Sequence, residues 1–210
     1  EEIARLLKKL GLKVNTFYRD NQTFEDVKNS SAAALNIVIN PWIFKGPAEK
    51  YKEKFGIPYI RIAGLPIGDT DTTAFLRSVG GALGLDKEKV ESVIAEEKDY
   101  LYEYLEKGIG ILGWKKLTVV GDANSVVGMM RYLANDYSLT PYVAVISEPI
   151  YRPEDKERIT QRLSDLEYAK APEIFFESDQ WNINEIIRNH KEVSLFLGSA
   201  NDRSEERRVG

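Results

Sequence analysis

The densest group of chemistry-bearing residues is Val119-Val120-Gly121-Asp122-Ala123-Asn124-Ser125-Val126-Val127-Gly128. An apolar run stops at Gly-Asp and then resumes with helical spacing. Such a junction places polar side chains at the carboxyl end of a parallel strand, where α/β folds bind ligands. A helix N-terminus there attracts anions. The Gly-x-Gly-x-x-Gly pattern and the phosphate-loop lysine are both absent, and Asp122 would repel phosphate. Asp122 and Asn124 are therefore candidates for capping the helix and tightening the turn, or for contacting a ligand or a second subunit. Two other loops follow apolar runs. Leu197-Gly198-Ser199-Ala200-Asn201-Asp202-Arg203 offers Ser199 and Arg203 as a pocket wall or as a surface loop, and Asn40-Pro41-Trp42 offers Asn40 as a turn former or a ligand contact.

The remaining polar residues give less. His190 is the single histidine and stands beside Lys191 near the end of a helical pattern, where a solvated, protonated ring would complement the helix dipole. Without cysteine, the chain has no disulfide, thiolate nucleophile or Cys-ligated cluster, and one histidine anchors no convincing metal site. The pairs Glu96-Glu97 and Glu205-Glu206 read as solvated charge. Met129-Met130 begins an apolar helix stripe.

These residues need positioning elements. Ile3, Leu6, Leu7 and Leu10 share one helix face, stopped at Gly11. Leu12 to Phe17 alternates as a strand does. A short helix is expected at 24–28, a strand at 35–39, a helix at 47–55, a strand at 58–62, and a helix at 70–83 capped by Asp71 or Thr72. A long amphipathic helix over 86–107 should end at Gly108, Gly110 and Gly113. Strands at 117–120, 142–146, 173–176 and 193–197 then alternate with helices at 125–135, 153–168 and 181–189. This order predicts an α/β protein: two Rossmann-like units with parallel sheets flanked by helices, joined by a long helix. The divisions are 1–85, 86–113 (helix and Gly-rich linker) and a truncated 114–210.

The chain has 210 residues, 43% hydrophobic and 30% charged, with a formal net charge of −4. That balance argues against nucleic-acid binding, which needs clustered Lys and Arg. No apolar run approaches the roughly 18 residues of a membrane helix, and no secretory h-region begins the chain. A cytoplasmic protein is the expectation. Residue 1 already lies in a helical pattern, which reads as an excised piece of a longer chain.

The order of segments carries a resemblance. Ile37-Val38-Ile39-Asn40-Pro41-Trp42, Tyr51-Lys52-Glu53-Lys54-Phe55-Gly56-Ile57-Pro58-Tyr59, Leu65-Pro66-Ile67-Gly68 and Thr70-Asp71-Thr72-Thr73 resemble the middle domain of nitrogenase component 1 type oxidoreductases. Gly121-Asp122…Gly128, Arg131-Tyr132-Leu133, Leu139-Thr140-Pro141, Asp179-Gln180-Trp181 and Phe196-Leu197-Gly198-Ser199 with Arg203 resemble its third domain. In alpha-type members a cofactor-holding cysteine falls at or near Asn40; with Asn there, the chain looks like a beta-type subunit. The resemblance implies one half of a heteromeric, ATP-coupled, iron–sulfur-dependent reductase, inactive by itself. The family includes nitrogenases, active in nitrogen fixation, whose molybdenum-iron protein has such subunits. Its partners would be a homologous alpha-type subunit, in a heterotetramer, and an ATP-dependent iron–sulfur reductase. Clusters, including any molybdenum-iron-type cofactor, would reside in the missing domain or the partner, so no metal ligand and no catalytic residue is assigned to this chain. A cofactor-assembly scaffold of the same family and a non-redox nucleotide- or sugar-binding module are the alternatives.

Overall fold

The computed structural model describes residues 1–16, 23–43 and 45–198. Packing separates two compact units that interleave in sequence: Glu1–Ile62 with Thr73–Tyr100, and Ala63–Thr72 with the chain from Leu101 onward.

In the first unit, α1 (Glu2–Lys9) buries Leu6 and Leu7, and Gly11 reverses the chain at φ 83°. Leu12 and Val14 do pack on the core, as their alternation implies. However, 12–16 form no strand, because no neighbour pairs with them; Phe17 lies outside the described residues. Helix α2 (Phe24–Lys28) starts in a reciprocal capping box between Thr23 and Asp26. Strands β1 (Asn36–Val38) and β2 (Tyr59–Arg61) pair in parallel, Val38 opposite Arg61, with α3 (Lys45–Phe55) connecting them. The parts of α4 (Gly68–Leu83) from Thr73 and of α5 (Lys87–Leu112) up to Tyr100 complete the unit. Phe75, Leu76 and Val79 of α4 and Val90, Val93 and Ile94 of α5 meet Leu6, Leu7 and Leu10 in its core.

Two expectations for these helices need correction. Asp71 and Thr72 do not cap α4, which begins at Gly68. Helix α5 runs through Gly108 and Gly110 to Leu112. Gly108 is tolerated there because the Tyr137 ring occupies the space a Cβ would need.

The second unit is a four-stranded, wholly parallel sheet of β3 (Lys116–Gly121), β4 (Thr140–Ile146), β5 (Glu173–Phe176) and β6 (Leu195–Leu197), in the order β5-β4-β3-β6. Its crossovers carry α6 (Ala123–Asn135), α7 (Pro153–Ser164) and α8 (Gln180–Asn189). Ile183 and Ile187 of α8 pack on Val120, Val143, Val145 and Phe196. Met130 of α6 is fully buried. The chain moves outward from β3 to β5 and returns to set β6 on the other side of β3. This order puts a topological switch point between β3 and β6. Helix α7 stops at Ser164, four residues before the expected end, because the Arg131 guanidinium takes the carbonyls of Arg162 (3.1 Å) and Asp165. The α/β class with parallel sheets flanked by helices stands as read.

Candidate functional site at the carboxyl edge of the sheet

The carboxyl ends of β3 and β6 mark where an open α/β sheet presents a ligand crevice. Asp122 leaves β3 and becomes the N-cap of α6, its carboxylate accepting the N–H groups of Asn124 and Ser125 at 3.0 Å each. Glu148, just past β4, accepts the Ala123 N–H at 2.8 Å. Its carboxyl is raised above the usual range because burial disfavours its charge and Asp122 adds like-charge repulsion, against the opposing Ala123 hydrogen bond. On β5's side, Glu177 accepts the Asp179 N–H at 2.8 Å, and Asp179 caps α8 through the Trp181 and Asn182 N–H groups. Two helix N-termini that could hold a phosphate are thus occupied by the chain's own carboxylates. Neither of these two N-termini is open to an anion.

Asn124 faces the other way. It is 4% exposed; its side-chain oxygen accepts the Gly64 N–H at 3.2 Å and its backbone carbonyl the Leu65 N–H at 3.1 Å. The segment Ala63–Thr72 therefore lies along α6. A Cβ on Gly128 would sit 2.7 Å from the Leu65 carbonyl, so this glycine admits a neighbouring backbone, not a pyrophosphate. Further along the same segment, Asp71 is buried against Arg131, which donates to both carboxylate oxygens at 2.8–3.1 Å. Arg162 adds contacts to Asp71 at 3.2 and 3.3 Å and donates to the Ala63 carbonyl at 3.1 Å. The cap of α4 comes from far away in sequence: Asp136 accepts the Asp69 N–H at 2.7 Å and the Thr70 hydroxyl at 2.7 Å. Burial nevertheless keeps its carboxyl above the usual range, despite the Thr70 and Asp69 hydrogen bonds. Gly68, at φ 73°, is pressed against Asp136 and Tyr132 with no room for a side chain.

Asn40 lies in the first unit, half-buried beyond β1. Ser199 and Arg203 fall outside the described residues. His190 does cap α8, donating through Nδ1 to the Ile186 carbonyl (2.6 Å), but its ring is packed edge-on against Tyr142 and Phe175 rather than solvated. Burial lowers its basicity, and the Ile186 carbonyl and Glu173 (3.0 Å) outweigh it to raise the pKa. Glu97 is likewise not a solvated charge: it is clamped by Arg5 and Lys9. Sequence reasoning gave Asp71 only as a cap and missed the roles of Arg131, Asp136 and Glu148, because each is paired with a residue remote in sequence or on another element.

The model of the family described as nitrogenase component 1 type oxidoreductase matches residues 1–210. The chain belongs to this family. It is 32% identical over 130 residues to the B subunit of light-independent protochlorophyllide reductase from Bradyrhizobium sp. (strain ORS 278), covering 62% of this chain and 24% of that one. It is 21% identical over 190 residues to the nitrogenase vanadium-iron protein beta chain of Trichormus variabilis (strain ATCC 29413 / PCC 7937), 90% of this chain and 40% of that one. The solved structure "Nitrogenase Cp1 at pH 6.5" superposes with a TM-score of 0.75 at 19% identity, over 98% of this chain and 47% of that chain. The chain thus spans less than half the length of the relatives it matches. A family of this kind implies metal clusters, but the donor set does not fit one. The chain has no cysteine, and no group of three His, Cys, Asp or Glu among the described residues is placed to hold a metal. No helix among the described residues is long and apolar enough to cross a membrane.

Proposed function

We propose that these 210 residues are the middle and C-terminal α/β part of a beta-type subunit in a heteromeric, ATP-coupled, iron–sulfur-dependent reductase. One observation carries the reading: the family's model matches residues 1–210, while the chain covers only 40% of the nitrogenase beta chain it resembles. The relatives that are themselves a beta chain and a B subunit support the beta-type assignment. In this reading the chain shapes a subunit surface, while an alpha-type partner and the rest of the parent protein hold the clusters. An ATP-dependent iron–sulfur protein delivers electrons in the cytoplasm. The fold's own carboxylates at the α6 and α8 N-termini count against the nucleotide-binding alternative.

The test is metal and sulfide analysis with an absorption spectrum on the full-length parent, co-expressed with its neighbouring genes. Stoichiometric iron and sulfide with a brown chromophore are expected. A colourless, metal-free complex overturns the reductase reading.

A further inference from the structure

The last turn of α8 is tied to the sheet through a titratable side chain. The helix stops at Asn189, and its final carbonyls need donors from beyond it. His190 supplies two. Its backbone N–H donates to the Ile187 carbonyl, and its ring Nδ1 donates to the Ile186 carbonyl at 2.6 Å. The other ring nitrogen, Nε2, lies 3.0 Å from the Glu173 carboxylate on β5. The ring stands edge-on to Tyr142 of β4 and Phe175 of β5, with centroids 5.6 and 5.7 Å away. Lys116 of β3 sits over the same Tyr142 ring and pairs with Glu192. On α8 itself, Arg188 pairs with Glu185.

Both partners of the ring are acceptors, a carbonyl oxygen and a carboxylate. Neutral imidazole has one N–H and one bare lone pair. In either neutral tautomer, one ring nitrogen would turn its lone pair on an oxygen 2.6 or 3.0 Å away. Only the imidazolium donates to both. The raised basicity of the ring agrees: burial opposes its charge, and the Ile186 and Glu173 hydrogen bonds more than offset that. Residues 190–194 then lead directly into β6. The Ser194 N–H opens the β3–β6 ladder by donating to the Lys116 carbonyl at 2.9 Å. Ile187, from the turn that His190 closes, shares a core cluster with Phe196 of β6.

We propose that His190 is a proton-operated clasp for the connection between α8 and β6. Carrying both protons, it ties the last turn of α8 to β5 and steadies 190–194, which lays β6 beside β3. On losing one proton to solvent it gives up the Ile186 or the Glu173 bond, and the connection loosens. A histidine made more basic by folding adds stability that is complete below its unfolded titration and is lost as pH rises through the folded one. An ordinary histidine titrates at 6.5, so a raised one moves the release toward neutral pH. Strand β6 borders the switch point beside β3, so the proton sets how firmly that border is held. The clasp is independent of the reductase reading, and its test involves no iron.

The chain has one histidine, so its ring nitrogens give one pair of NMR signals, provided that no histidine tag is present. The whole chain is titrated folded and again in urea. The folded midpoint should lie above the urea midpoint, and Glu173→Gln should lower it. Hydrogen exchange, corrected for its intrinsic pH dependence, is followed over the same range. Protection at 187–196 should fall about two- to fivefold as the ring loses its proton, while β4 and α7 keep theirs. His190→Gln should show no such step. If His190→Gln fails to fold by circular dichroism, Glu173→Gln replaces it, since the Glu173 side chain is 61% exposed. There the step should move down in pH together with the ring. A folded midpoint at or below the urea value overturns the clasp. So does constant protection at 187–196, an equal fall in β4, or a step of the same size in His190→Gln. A step that stays in place when Glu173→Gln moves the ring's midpoint overturns it as well.

Discussion

Both compact units have an apolar core, but they place their charged contacts differently. The first relies on an apolar cluster of α1, α4 and α5 side chains, with its ion pairs spread over the outside: Arg5 and Lys9 on Glu97, and Arg77 on Glu91. The second holds a polar segment, Ala63–Thr72, from the inside with the Asp71–Arg131–Arg162 group, Asn124 and Asp136. A segment that offers few apolar side chains must be fixed by satisfied polar contacts, and these are expensive to break because their partners are buried.

The comparison predicts a graded set of effects. Asp71→Ala leaves the buried Arg131 guanidinium without its close carboxylate partner and should cost about 3–5 kcal/mol, read by chemical denaturation of the whole chain. Hydrogen exchange should place the loss at 63–72 and α6. A cost below about 1 kcal/mol would erase the contrast between the units. Glu97 comes next. The Arg5 hydrogen bond, which outweighs burial and is helped by Lys9, holds its carboxyl at about 2, against an ordinary 4.5. A depressed acid stabilises the fold above its unfolded pKa, and that stability disappears as pH falls from 4.5 through 2. Glu97→Gln should therefore flatten the acid limb in that window and cost about 1–2 kcal/mol at neutral pH, given the partly exposed Arg5. Asp122→Ala removes the α6 cap and should cost about 1 kcal/mol, measured as a shift in thermal midpoint. Arg77→Ala, on a well-solvated pair, should change stability by less than about 0.5 kcal/mol. A larger loss there would mean that the first unit depends on its surface charges after all.

Local signals in the sequence were legible. The short helix at 24–28, Gly11, the Asp122 cap and the alternation of strands and helices all act within a few residues of themselves, so residue type and spacing suffice. The strand expected at 12–17, absent over its described residues 12–16, shows the limit: alternation reports which side chains face a core, while a strand also needs a paired neighbour. The cap of α4 was out of reach for a related reason. Asp71 has the right type and place for an N-cap, but Arg131 claims it, and Asp136 caps from more than sixty residues away in sequence. Asn124, a candidate for the cap or for a ligand or subunit contact, holds the chain's own backbone at Gly64. Its spacing from Asp122 is the same in either case.

The interleaving of the two units limits how the molecule can be cut. A protein begun at Leu101 would contain all four strands of the parallel sheet but lack Ala63–Thr72. Arg131 would lose the Asp71 carboxylate, Asn124 would have no Gly64 amide to bind, and the surface of α6 at Gly128 would be bare. Supplied separately as a peptide, 63–72 would have to restore these contacts at the entropic cost of association. In the intact chain, the intervening 28 residues tether it at high effective concentration. Covalent continuity through the first unit is thus a structural requirement of the second.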